Sequence, residues 1–418
     1  MSLVVFSETA ETVMPLTSMS TSGRTEYIRA LEALSPRGAT SIWAGLRAGL
    51  DSLREPTTND NFGDTDHAAP RAQTLMLLTD GRDSFTRAVP HVEELRSYRD
   101  QYPELQVQIN TFGFGYNLDS ELLLSLATEG SGSYAFIPDA LIVGTVFVNS
   151  LASVLSTHVQ ESTLHLMPRG GASFAGAVSG GHVTTEESWG RVVALGPLQY
   201  GQPREVAVPM RLPPLSDAQV AGGDVCYLEA VLEYKTPADA TARRAQGLGV
   251  AREGGQVEVV AALRCETVTV GYAALQLASD GRGQAAVQAV EGLVERLASA
   301  LTIEDERAAA SAATAPPVLI ALHADVSGRM SKALRGKKRF DRWGKHYLRA
   351  LMRSHQLQQC SNFMDPGLQH YGGAAFKEMR QRGDGIFLSL PAPVPAPRGY
   401  HGVAAARTPR GGAASARA

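Results

Sequence analysis

The apolar positions of the first 158 residues switch between two kinds of pattern. "LVVFSE" (3–8) is a continuous apolar run, the mark of a strand buried on both faces. A helix capped near Ser22 follows, with Tyr27, Ile28, Leu31 and Leu34 on one face. Beyond "SPRGATS", residues Ile42, Leu46, Leu50 and Leu53 recur at helical spacing. A polar loop, "REPTTNDNFGDTDHAAPRAQ", leads into the strand "TLMLLTD". Val92, Leu95 and Tyr98 mark a helix near 90–101, and "LQVQINTFGFG" (105–115) reads as the next strand. "DSELLLSLATEG" is a helix closed by Gly130 as its C-cap. "GSYAFI" is a short strand before an apolar helix near 139–156. Strands alternating with helices of this length predict βαβ units and a doubly wound, mostly parallel sheet.

Past His158 the period changes from 3.6 to 2. "EVAVPMRL" places Val206, Val208, Met210 and Leu212 on one face. "CYLEAVLEYK" does so with Leu228, Ala230, Leu232 and Tyr234, and "QVEVVAALR" with Val257, Val259, Ala261 and Leu263. Gly- and Pro-rich turns separate these runs, which predicts an antiparallel β-sandwich. From about 267 the pattern is helical again, interrupted by "ATAPP" at 313–317. The tail is Pro, Ala, Gly and Arg, too poor in apolar mass to fold. The expected organisation is an α/β domain at 1–158, an all-β domain at 159–266, a helical region at 267–390 and a disordered basic tail at 391–418.

Charge adds an asymmetry that the net value of −3 conceals. Residues 1–158 carry 19 acids, 10 arginines and no lysine, whereas 329–355 hold ten Lys/Arg and one acid, Asp341. The basic stretch interleaves Trp343 and Tyr347, a composition open to nucleic acid or an anionic membrane. The favoured reading is a helix face docked on the acidic front domain. Three widely spaced cysteines exclude a disulfide framework and a zinc finger. "ALIVGTVFV" at 140–148 is about half the length of a membrane helix, so a cytoplasmic protein is expected.

Two loops reach the carboxyl edge of the expected sheet, where ligands of doubly wound folds sit. "GATS" (38–41) offers the hydroxyl of Thr40, and "TDGRD" offers the carboxylate of Asp80. Hydroxyl, carboxylate and water are the hard oxygen ligands that Mg²⁺ prefers. The alternative is that Thr40 and Asp80 cap a helix or turn. Asp83 and Ser84 read as turn residues.

The order "VVFSE", "LTSM", "GATSIWAGL", "LLTDGRD" and "INTFGFG" resembles a von Willebrand factor type A (VWA) domain over roughly residues 1–157. That resemblance implies a metal-ion-dependent adhesion site built from a DxSxS motif, a later Thr and the Asp of "TDG". Thr40 and Asp80 match the last two positions. The first strand and its DxSxS are absent from this chain, which begins inside what resembles the second strand. A start further upstream is the expectation, because losing a central strand would expose edges and an apolar face.

"DVSGRM" (325–330) resembles the absent motif, with Asp325 and Ser327 in register and Arg329 in place of a ligand. A cation there disfavours a metal, and Leu319, Leu322, Val326 and Met330 fall at helical spacing. "RWGKHYLRALMRSHQLQQCSNFMDPGLQHYGG" and "GDGIFLSLP" resemble the C-terminal, Vwaint-like region of intracellular eukaryotic VWA proteins. Some of those carry a RING, a U-box or a Hint-type domain. Cys360 is read as a core residue. His346 and His355, nine apart, are read as surface histidines.

No P-loop, nucleophile elbow, dinucleotide fingerprint or carboxylate dyad stands out, so no enzymatic activity is expected. The reading is a protein–protein interaction module, with Mg²⁺ binding through Thr40 and Asp80 weakened without DxSxS. The implied partner is a protein engaged through an acidic side chain. Neither nucleic acid nor a membrane span is expected. Alternatives are a substrate-binding component of ubiquitin transfer and a metal-dependent hydrolase.

Overall fold

The computed structural model describes residues 1–54, 72–214, 225–236, 239–251, 256–311 and 316–391. Most of the polar loop expected at 54–73, and the tail beyond Pro391, lie outside the described residues.

β1 (Leu3–Phe6) and β2 (Ala10–Met14) form an antiparallel hairpin. α1 (Thr21–Glu32) is capped by Ser20, not Ser22: the Ser20 hydroxyl accepts the Gly23 amide. Its apolar face is not buried, since Ile28 is 54% and Leu31 44% exposed. α2 (Ile42–Arg54), β3 (Gln73–Thr79), α3 (His91–Gln101), β4 (Val107–Phe114), α4 (Ser120–Glu129) and β5 (Tyr134–Ile137) follow as the apolar pattern requires. Gly130 ends α4, but at φ −79°; the left-handed residue is Ser131 (φ 52°). α5 (Val143–Ser156) covers the far face of the sheet, stacking Phe147 on Phe112 at 4.9 Å.

β3, β4 and β5 form a parallel sheet in that order, with Leu75 opposite Ile109 and Thr111 opposite Tyr134. Among the described residues no ladder joins it to the β1–β2 hairpin. α2 holds both. A Cβ on Gly45 would meet the Phe6 ring at 2.5 Å, and one on Gly49 would meet Leu75 at 2.7 Å. β1 and β3 run in the same direction. Ser2 Oγ lies 2.7 Å from Ser52 Oγ, and the Gln73 amide donates to the Leu53 carbonyl, so both strands start at the end of α2. Both end beside its first turn, where the Ser41 amide donates to the Ser7 carbonyl at 2.6 Å.

Behind this α/β unit lies a five-stranded antiparallel sheet. Its strands are β6 (Glu161–Pro168), β7 (Thr184–Glu187), β8 (Gly190–Ala194), β9 (Cys226–Thr236) and β10 (Asp239–Val250), ordered β10-β9-β6-β8-β7. Two expectations fail here. In "EVAVPMRL" only Met210–Arg211 is a strand, paired with Ser173–Phe174, while Val206 and Val208 pack as irregular chain on Leu166 and Val193. "QVEVVAALR" is not a strand but the start of helix α6 (Gln256–Ser279), inside the segment expected to be all-β. Val260, Arg264 and Val268 are buried at four-residue spacing, whereas Val257 is 72% exposed. The alternation of small apolar residues was compatible with either period.

α7 (Gly283–Ser311), α8 (Pro317–Asp325), α9 (Lys345–Leu357) and α10 (Ala374–Ser389) complete the chain. α8 runs into a π-helical turn, Val326–Met330, and Leu319, Leu322, Val326 and Met330 are its core positions. "DVSGRM" is therefore helical. α9 is the central pillar: from His346 to Leu357 every residue except Ala350 is buried, between α6 on one side and α4 and β5 on the other. This corrects the surface assignment of His346 and His355, each only 1% exposed. Cys360 is 1% exposed and sits in a small cluster with Ala152 and Phe376, as a core residue does. Among the described residues no helix is long and apolar enough to cross a membrane.

Candidate functional site

The carboxyl ends of β1 and β3 meet the first turn of α2, and cross-bonds fix the loops there. The Thr40 backbone is clamped by Ser84, whose hydroxyl accepts the Thr40 amide (3.0 Å) and whose amide donates to the Thr40 carbonyl (2.8 Å). Asp83 does more than make a turn. One of its oxygens accepts the Phe85 amide (2.9 Å); the other faces His91 Nε2 (2.6 Å) and accepts the Ile42 amide (3.3 Å). It thus caps α2 from a different loop. Gly81 packs closely beside Thr40: a Cβ there would lie 3.2 Å from Thr40 Oγ1, so the hydroxyl would have to shift by a few tenths of an ångström.

Thr40 packs beside Gly81, the residue that follows Asp80. Among the described residues, neither the Thr40 hydroxyl nor the exposed Asp80 carboxylate takes part in a side-chain hydrogen bond or ion pair; the capping role falls to Asp83 instead. Two free hard oxygens at a strand edge fit a small divalent cation in kind. They fall short in number, with a single carboxylate. Among the described residues no group of three or more His, Cys, Asp or Glu is placed to hold a metal ion.

The other candidates lie elsewhere. The Asp325 carboxylate is buried, accepting the Gly367 amide (2.9 Å) and lying 3.4 Å from His355 Nε2, while His355 Nδ1 is 2.7 Å from the Tyr371 hydroxyl. His346 Nδ1 is 2.7 Å from the Ser120 hydroxyl, tying α9 to the first turn of α4. Burial, with the charges of Lys345, Arg349 and Arg82 adding to it, pushes the His346 imidazole down to about 4. Arg349 donates to Glu121 (2.9 Å), and Arg353 donates twice to the Gly132 carbonyl (2.9 and 2.7 Å). Arg349 and Arg353 therefore tie the basic stretch to the front unit, only Arg349 through an acid.

Comparisons with known proteins agree with this geometry. Residues 1–142 match the model of the von Willebrand factor type A domain. The chain carries a VWA domain. Residues 317–385 match a second model, described as VWA / Hh protein intein-like. The solved von Willebrand factor type A protein from Catenulispora acidiphila is similar in fold, with a TM-score of 0.50 at 16% identity, covering 71% of each chain. The ArnB paralog VWA2 from Sulfolobus acidocaldarius aligns with a TM-score of 0.40 at 16% identity, over 85% of this chain and 78% of that one. A comparison with curated proteins finds no match.

The spacing of "GATS" and "TDG" had pointed to the two oxygens of the VWA edge. It gave no sign of the residues around them. Tyr116, after β4, lies 5.4 Å from the Arg342 guanidinium, and Phe136 lies 5.4 Å from His346. The Vwaint-like region thus reaches the rim of the VWA site, a contact between positions more than two hundred residues apart.

Proposed function

We propose that the protein is a binding module that engages a protein partner at the carboxyl edge of its VWA sheet. Thr40 and Asp80 would be the residues of this chain that hold a Mg²⁺ ion there, and the ion would supply positive charge to attract a partner's carboxylate. The observation that supports this reading is that the Thr40 hydroxyl and the Asp80 carboxylate, free of side-chain partners among the described residues, both stand on loops at this edge, Thr40 beside Gly81. With one anionic ligand, the ion is held weakly by the chain alone and more firmly once a carboxylate from outside joins it. The residues of the chain supply orientation. Ser84 and Asp83 lock the loop that presents Thr40, so the hydroxyl is held before the ion arrives.

Calorimetric titration of the full chain with MgCl₂ tests it. Saturable heat is expected for the native chain, with at least about a tenfold weakening in Thr40→Ala and loss in Asp80→Ala, each losing one ligand. Identical heats in all three would contradict the reading. No observation on the molecule favours a ubiquitin-transfer or hydrolytic role over this one.

A further inference from the structure

Residues 332–345 carry seven cations, Lys332, Arg335, Lys337, Lys338, Arg339, Arg342 and Lys345, against the single acid Asp341. Only Lys337 is paired, with Asp341 at 2.8 Å; among the described residues the other six form no ion pair. The segment is nonetheless held in place, because Leu334 and Phe340 are buried beneath it and Arg342 lies over the Tyr116 ring at 5.4 Å. Six uncompensated charges on a fixed scaffold form a persistent positive field.

This strip adjoins the VWA edge. Arg82 follows Asp80 by two positions, and Tyr116 follows β4, whose carboxyl end is paired with that of β3, Thr79 opposite Gly113. Arg342 lies over the Tyr116 ring and Lys345 opens α9 three positions later, so both sides of the junction bring cations to this edge. Exposed apolar side chains accompany it: Leu78, Phe85, Phe114 and Tyr116 are 46%, 42%, 37% and 44% exposed, all near the ends of β3 and β4. Arginine beside exposed aromatic residues is the composition of a protein-binding surface.

We propose that this strip is a docking surface for an acidic segment of a partner protein. Arg82, Arg342, Lys345 and the cations behind them take successive carboxylates that lead away from the VWA edge. The proposal rests on the binding face described above and names the chemistry of its partner. A single-stranded nucleic acid is a poorer fit, since the basic segment itself presents no ring for stacking: Tyr347 is buried and hydrogen-bonded to Asp365, and Trp343 packs on the helical core. The exposed rings, Phe85, Phe114 and Tyr116, belong to the strand ends of the VWA edge and not to the strip.

Fluorescence anisotropy of a labelled decaglutamate peptide, titrated with the full chain at low and high salt, provides the test. Expected is binding that weakens steeply as salt rises to about 0.5 M. Arg342→Glu with Lys345→Glu should weaken it at least about tenfold, and Arg82→Glu, on the other side of the junction, should weaken it independently. Repeating the titration in EDTA separates the two claims. Binding that survives EDTA but not the charge reversals leaves the strip standing and removes the metal. Binding lost in EDTA but indifferent to the reversals removes the strip and leaves the metal. Absence of binding at low salt, or tighter binding of an oligonucleotide or of phosphatidylserine vesicles, would overturn the proposal.

Discussion

At the scale of single residues, the VWA edge depends on small atoms at crowded points. Gly81 is the one beside the candidate ligand, because a Cβ there would press on the Thr40 hydroxyl. Gly81→Ala is expected to reduce Mg²⁺ affinity as much as Thr40→Ala does while shifting the thermal midpoint by only a few degrees, since the loop is at the surface. A calorimetric titration beside a melting curve reads both. Asp83 behaves oppositely. It holds Ile42, Phe85 and His91 together, so Asp83→Ala should destabilise the domain by about 1–3 kcal/mol through orphaned donors. That Thr40 and Asp80 stand on loops at the carboxyl edge of the strands was legible because the order of flanking strands and turns is a local property of the sequence. Asp83 was read as a turn residue because two of its three partners come from other elements.

Among elements, α9 decides how the molecule holds together. Arg353 is 5% exposed, donates to the Gly132 carbonyl with two nitrogens and to Gln356 with a third, and burial pushes its guanidinium below the usual range. Arg204, half-buried, is pushed down to about 9 by burial and by Arg353, and donates to the carbonyls of Pro197 and Gln356. Gln356 therefore couples the β sheet, the helical region and the VWA domain. Arg353→Ala should leave the Gly132 carbonyl unpaired and open a void, at a cost of about 2–4 kcal/mol. Hydrogen exchange should then show faster opening of β5 than of β9. Parallel strands were readable as continuous apolar runs, and β9 as an alternation. β2 was missed because "AETVM" is short and half polar, as an edge strand is. α9 was misread because its polar residues, among them Arg349, Arg353, His355 and Gln356, are buried against other elements, although their helical pattern is that of a solvent-facing side.

For the whole molecule, buried histidines link stability to pH. His346 and His182 are each pushed down to about 4, His346 by burial with Lys345 and Arg349, His182 by burial with Arg204. Their folded values lie below the unfolded value of about 6.5, so between about 4 and 6.5 the unfolded chain binds more protons than the folded one. Stability from these groups is present above 6.5 and is lost as pH falls toward 4. Thermal midpoints should decline over that window, and His346→Gln should flatten the decline. Changes of period along the chain mark the switch to antiparallel strands, but not the start of α6 inside the segment expected to be all-β. The contact between the Vwaint-like region and the VWA rim could not be read from the sequence, since it joins residues far apart through tertiary packing alone.

The most direct test of the proposed site is paramagnetic. Mn²⁺ added to isotope-labelled full chain should broaden the amide signals of Thr40, Gly81 and Arg82 first, and Asp80→Ala should abolish that selectivity. Broadening centred elsewhere on the acidic VWA surface, or unchanged by Asp80→Ala, would contradict a cation held by Thr40 and Asp80.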